Sequence, residues 1–180
     1  MQRAVPDPVT RKTVTKTIST DDIASVESPV EDFTRPMTGY QWGAASNDTG
    51  RGALNLVNGT TKDGVAVLFE RAKDNSVQPR RAVYIRSRES TRLADITPSA
   101  YTLRFMLGSL WNESDRAFRD GVECYALVDE LEFNEKKTDD GIEYSEQSVT
   151  LHKVINGNAR LTTVSQAMVK FDELVRAQQP

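Results

Sequence analysis

The sequence predicts an all-β protein: an antiparallel β-sandwich with an extended N-terminal arm and one C-terminal amphipathic helix. Apolar side chains occupy alternate positions from Tyr101 to Leu107, the pattern of a half-buried strand. Other short strand-like segments follow one another closely and are separated by turn dipeptides such as Asn58-Gly59. Near the end the apolar spacing becomes helical. We therefore expect an arm over 1–50, a sandwich over 51–163 and a helix over 164–180.

The first 50 residues differ in composition from the rest of the chain. They contain four prolines, many Ser and Thr, and apolar residues with neither strand nor helix period, so a flexible or extended arm is expected. We expect residues 1–35 to contribute little to the stability of the sandwich. Apolar residues then cluster at the end of the arm: Phe33, Met37, Tyr40 and Trp42. This cluster either docks on the domain or binds a partner.

The middle of the chain supplies the strands. They are predicted at 53–57, 65–69, 82–86, 91–96, 101–107, 118–127, 144–154 and 159–163. Residues 128–133 either extend the sixth strand or form another, and 135–141 are predicted to be a hairpin loop. Asn156-Gly157 is the strongest hairpin signal and predicts that its flanking strands pair. Strands this short and numerous indicate a sandwich or small barrel.

Two segments have a face that can be assigned from periodicity. In the fifth strand the core face carries Tyr101, Leu103, Phe105 and Leu107, and the other face carries Thr102, Arg104, Met106 and Gly108. At the C-terminus one helical face carries Val164, Ala167, Met168, Phe171, Leu174 and Val175, after a capping-box pattern at 163–166. This helix packs on its own sandwich or on a partner chain.

Residues 52–151 resemble the prealbumin-like accessory sandwiches, which include carboxypeptidase regulatory-like and PEGA-type modules. The resemblance is carried by 54–60, 65–68, 81–86 and the turn and strand over 96–105, with 149–154 as a closing strand. The family's turn usually contains Pro-Gly, where this chain has Pro98-Ser99. The resemblance implies a non-catalytic binding or spacer role and no particular site residues.

Composition excludes several classes of protein. The formal net charge of −3 does not favour nucleic-acid binding, and no apolar run reaches the roughly 18 residues of a membrane span. Cys124 is the only cysteine, so no intramolecular disulfide is possible and a reducing compartment is expected. The N-terminus lacks the apolar segment of a signal peptide, so a cytoplasmic location is predicted.

No catalytic, metal-ligating or cofactor-binding residues are predicted. His152 is the only histidine, which removes most nucleophile–base and metal patterns. Cys124 and His152 as a thiolate–imidazole pair are the less favoured reading, because a cysteine in a strand is usually a small buried apolar residue. Four acidic residues could bind a hard cation, but their spacing is more typical of a solvated hairpin loop. They are Asp139, Asp140, Glu143 and Glu146.

Charge distribution favours protein–protein interaction. Seven basic residues fall between Arg71 and Arg92, and ten acidic residues fall between Asp120 and Glu146. These stretches are either two solvated faces or surfaces complementary to a partner or to a second copy. The predicted partner-binding residues are Phe33, Tyr40, Trp42, Arg80, Arg81, Arg86, Arg88 and Arg92.

The sequence therefore predicts a non-catalytic interaction or structural module, such as a subunit of a virion, a secretion complex or a signalling complex. Its partner would be another protein or a second copy. The alternatives are a carboxylate-based hydrolase and nucleic-acid binding through Arg80–Arg92.

Overall fold

The structure, a computed structural model, describes residues 33–43, 50–152 and 160–176. Predictions for most of the arm, for the loop at 44–49 and for Asn156-Gly157 lie outside the described residues. The described part is built almost entirely of strands, as predicted. They are β1 (Phe33–Thr34), β2 (Gln41–Trp42), β3 (Gly52–Val57), β4 (Asp63–Arg71), β5 (Val77–Ile85), β6 (Ser90–Ile96), β7 (Ser99–Asn112), β8 (Ala117–Leu127), β9 (Leu131–Phe133), β10 (Glu135–Thr138), β11 (Gly141–Tyr144), β12 (Glu146–Thr150) and β13 (Leu161–Thr163).

The strands form a large and a small sheet. The large sheet has the order β13-β8-β7-β4-β5-β2, with β1 and β9 also paired to β7. The small sheet has the order β12-β3-β6, and β10 and β11 form a hairpin of their own. All described pairs are antiparallel except β12 with β3. The predicted antiparallel sandwich is confirmed, with one parallel pair added.

The inner core lies between the two sheets. The predicted core face of β7 is confirmed, since Tyr101, Leu103, Phe105 and Leu107 are each at most 3% exposed. They pack with Leu54 of β3 and with other apolar residues of the small sheet. The period-two alternation of β7 therefore reports burial against a second sheet.

The opposite face of the large sheet is also covered. Met106, on the other face of β7, is only 1% exposed and belongs to a second apolar cluster. That cluster includes Trp42, Trp111, Val169 and Phe171, so segments from both ends of the described chain cover this face. Because Thr102 and Arg104 are polar, the sequence pattern predicted less burial for this face of β7 than the structure shows.

The C-terminal helix is shorter than predicted. A 3-10 helix spans Gln166–Val169 and the α-helix α1 spans Asp172–Arg176, with extended backbone at Lys170 between them. The predicted helical face is wrong at Ala167 and Met168, which are exposed, whereas Val169 is buried. Val169 and Phe171 are two residues apart and both buried, a spacing that is typical of an extended segment packed on a sheet and not of a continuous helix. No side-chain cap starts the 3-10 helix.

Two strand predictions are corrected. The predicted hairpin loop at 135–141 is largely strand, because β10 and β11 pair from Glu135↔Tyr144 to Thr138↔Gly141 around an Asp139-Asp140 turn. The described strands that flank Asn156-Gly157, β12 and β13, do not pair with each other as predicted, because β12 pairs with β3 and β13 pairs with β8. A turn dipeptide fixes local chain reversal, but the apolar faces of each strand select its sheet.

Residues 33–43, named the strap here, lie against the sandwich. β1 pairs with the end of β7, and β2 pairs with β5. Between them, a turn at Met37–Tyr40 has Gly39 at φ +88, the positive φ that position three of a type II turn requires. Trp42 is 4% exposed, which accounts for the docking of this part of the predicted arm.

Candidate binding groove

A gap in the strand ladder creates a concavity among the described residues. β4 pairs with β7 as far as Asp63↔Gly108, and β1 resumes the same side of β7 at Thr34↔Trp111. Ser109 and Leu110 lie between these points without a described strand partner on that side. The gap opens into a cavity of about 410 Å³, called the groove here.

Arg35 and Asp63 bridge the gap. Arg35 Nε and Nη2 donate to Asp63 Oδ2 and Oδ1 at 2.8 and 3.0 Å. Asp63 also accepts hydrogen bonds from the Tyr84 hydroxyl at 2.7 Å and the Ser87 backbone N–H at 2.8 Å. Both carboxylate oxygens therefore have two donors, and the bidentate guanidinium fixes the strap to β4.

These contacts set the ionisation of Asp63 and Tyr84, which form a polar wall of the groove. Partial burial alone would raise the pKa of Asp63, but hydrogen bonds from Arg35, Tyr84 and Ser87 outweigh it and hold the pKa below its ordinary value. Burial, followed by the hydrogen bond to Asp63, raises the pKa of Tyr84 far above its usual range. The wall therefore holds one paired carboxylate and one neutral phenol at physiological pH.

Two exposed apolar residues form the rim of the groove. Phe33 is 40% exposed and Leu110 is 55% exposed, and both line the cavity. Leu110 has φ +57, a conformation that costs a bulky residue roughly 1–2 kcal/mol. The chain thus holds a leucine in a strained conformation and leaves it exposed to water.

The strap residues predicted to bind a partner have different environments. Phe33 is on the groove rim, and Tyr40 is 50% exposed on the strap turn. Trp42 lies inside, with its indole N–H donating to Glu113 at 3.1 Å and its ring 5.0 Å from that of Tyr40. Trp42 therefore holds the strap in place, and Phe33 and Tyr40 remain available for contact.

The structure does not bring the five predicted arginines together on one open surface. Arg81 is 6% exposed and donates to Ala94 O and to Gln41 Oε1. Arg86 donates to the backbone oxygens of Pro36 and Arg35, which places it under the strap. The remaining three are on the surface, where Arg80 pairs with Glu70, Arg92 pairs with Glu146, and Arg88 is exposed.

The basic and acidic stretches are joined within the chain. Arg71 donates to Glu130 at 2.7 Å, and Arg92 pairs with Glu146. Hydrogen bonding, first from Arg92 and then from Asn55, lowers the pKa of Glu146. Part of the charge complementarity seen in the sequence is therefore satisfied by contacts within each sheet and its loops, and is not free for a partner.

Sequence reasoning missed Asp63, Tyr84 and Leu110 as members of one site. Asp63 precedes Gly64 and reads as a turn residue, and Tyr84 reads as an ordinary strand residue. The break at Gly108-Ser109 was a signal that β7 changes partners there, although it does not identify the new partner. Only the fold of the strap brings Arg35 to Asp63.

Cys124 and His152, the pair considered from the sequence, do not line the groove. Cys124 belongs to the outer cluster and its burial raises the thiol pKa, while the His152 ring packs against Gly59. No group of three or more His, Cys, Asp or Glu in the described ranges is arranged to hold a metal ion. Within those ranges, no helix has the length and apolar character needed to cross a membrane.

Comparison of the chain with protein-family models, with curated proteins and with solved structures finds no match.

Proposed function

We propose that the chain is a non-catalytic protein-interaction module, a subunit of a larger assembly, and that a protein partner covers the groove and its rim. The observation that carries the proposal is the pair of exposed apolar residues, Phe33 and Leu110, that line a cavity of about 410 Å³. A small molecule that filled the cavity would leave much of both rim residues in water. A protein surface would bury the cavity and the rim together.

The strain at Leu110 supports the same proposal. Glycine or asparagine would adopt φ +57 at lower cost, and neither would place a large apolar side chain in solvent. Retained strain of this kind is characteristic of contact sites. The resemblance to prealbumin-like accessory sandwiches that the sequence predicts would imply the same non-catalytic binding role.

Nucleic-acid binding through Arg80–Arg92 has less support. Arg81 and Arg86 are used to hold the strap and the sheet edges, and Arg80 and Arg92 face carboxylates. A phosphate backbone would have to compete with these contacts.

Site-specific photocrosslinking tests the proposal. Benzoylphenylalanine replaces Phe33 or Leu110 in the full chain, and Val128, which is 49% exposed, provides the matched control position. In a lysate of the source organism, positions 33 and 110 should give the same discrete protein adduct and position 128 should not. The adduct is identified, purified and rebound to measure affinity.

Phe33→Ser and Leu110→Ser should each weaken that purified complex by about tenfold or more, whereas Val128→Ser should leave it unchanged. Absence of an adduct at both rim positions, or equal effects of all three substitutions, would overturn the proposed contact surface.

A further inference from the structure

We infer that the groove receives an extended, uncharged segment of the partner chain, anchored by a large apolar side chain between Phe33 and Leu110. This inference rests on the proposed function and specifies the chemistry of the partner. It follows from the charge of the groove, the size of the ladder gap and the apolar rim.

The charge of the groove disfavours an ionic anchor. Arg35 and Asp63 are the charged residues that line it, and they neutralise each other. Both oxygens of Asp63 already accept two hydrogen bonds, so a cationic side chain would find no free carboxylate. An anionic side chain would meet a guanidinium whose Nε and Nη2 already donate to Asp63. A charged group placed here would lose hydration without gaining a counter-ion.

The ladder gap favours an extended backbone. Ser109 and Leu110, which lack a described strand partner on the side of β4 and β1, extend about 7 Å along a strand, whereas a helix with its side chains is about 10–12 Å wide. An extended segment presents backbone N–H and C=O groups that can pair with strand positions lacking a neighbour. The cavity volume lies within the range in which proteins enclose a compact ligand group.

The apolar rim determines the anchor. Phe33 and Leu110 expose more apolar surface than an Ala or Ser side chain could cover. A Leu or Phe side chain between them would be buried on both sides. The polar residues Ser87 and Thr61 also line the groove and suit the hydrogen-bonding groups of the inserted backbone.

The inference is tested with end-blocked peptides of the form acetyl-Gly-Ser-X-Ser-Gly-amide, where X is Leu, Phe, Ala, Lys or Glu. Binding to the full chain is followed by amide chemical shifts. Leu and Phe peptides should produce saturable shifts at Ser109, Leu110 and Thr34, and bind at least about fivefold more tightly than the Ala peptide. Methylation of the amide nitrogen next to X should weaken binding by about threefold to tenfold.

Salt and sequence controls decide between the possible outcomes. Affinity of the Leu peptide should be unchanged between about 50 mM and about 500 mM NaCl. Lys or Glu peptides that bind as tightly, a steep loss of affinity with salt, or no shift with any peptide would overturn the inference. A second copy that occupies the groove, seen as concentration-dependent mass in light scattering, would also overturn it. If peptides fail but the rim positions still crosslink a partner, the proposed function stands and only this inference fails.

Discussion

Trp42 and Trp111 lie with ring centroids 5.5 Å apart and donate their indole N–H groups to the two oxygens of the same carboxylate, Glu113. One tryptophan comes from the strap and the other from the end of β7. The pair therefore joins the N-terminal segment to the groove-forming part of the sheet. This relationship makes the strap part of the fold and brings Phe33 to the same groove as Leu110.

Loss of the strap tryptophan should destabilise the whole domain. Trp42→Ala removes a side chain that is 4% exposed and packs on Trp111 and Phe171, so it should cost about 3–5 kcal/mol of unfolding free energy. Tyr40→Ala, at a 50% exposed neighbour, should cost only about 1 kcal/mol through the lost ring contact. Chemical denaturation measures both. Equal, small losses would show that the strap is not packed as described.

The Arg35–Asp63 pair should appear in the pH dependence of stability. The folded pKa of Asp63 is lowered, so its ionised form stabilises the protein above the unfolded pKa of about 3.9, and that contribution is lost as pH falls through the folded value. Asp63→Asn should reduce stability by about 1–3 kcal/mol at neutral pH, and the difference from the native chain should shrink in acid.

Denaturation curves at neutral and acidic pH measure this difference. Asp120→Asn, at an exposed position of β8, is the control and should change stability little at any pH. A difference for Asp63→Asn that persists undiminished in strong acid would contradict the role given to its charge.

Both faces of β7 should respond to truncation. Phe105→Ala in the inner core should cost about 3–5 kcal/mol, and Met106→Ala in the outer cluster about 2–5 kcal/mol. Thr102→Leu, at a half-buried position, should be tolerated better than either. The three variants are compared by thermal and chemical denaturation. A loss below about 1 kcal/mol for Met106→Ala would show that the outer face is not tightly covered.

Leu110→Gly should separate stability from binding. Glycine relieves the positive-φ strain, which costs roughly 1–2 kcal/mol in the folded state. Part of this gain in stability is offset because glycine also increases the conformational entropy of the unfolded chain. Stability should therefore stay the same or rise by up to about 1 kcal/mol, while partner affinity falls. A clear loss of stability would show that Leu110 serves the fold, and that its exposure is not a contact feature.

The sequence predicted those features that depend on local periodicity. The core face of β7 follows from alternation at Tyr101, Leu103 and Phe105, and a second sheet is required to bury it. The groove was not predictable in the same way, because Arg35 and Asp63 are 28 residues apart and neither position belongs to a recognisable motif. The helical face predicted at the C-terminus was wrong for a similar reason, because burial there depends on tertiary contact. Val169 and Phe171 are buried by packing on the large sheet and do not follow a helical period.

Hydrogen exchange of the chain, free and bound to the partner identified at the rim, tests the central claim most directly. The predicted result is slower exchange on binding over 33–37, 61–63 and 109–111, the segments that form the groove and its rim. Slower exchange confined to 80–92 or to the β10–β11 hairpin, with no change around Ser109 and Leu110, would contradict the claim and place the contact on the charged surfaces instead.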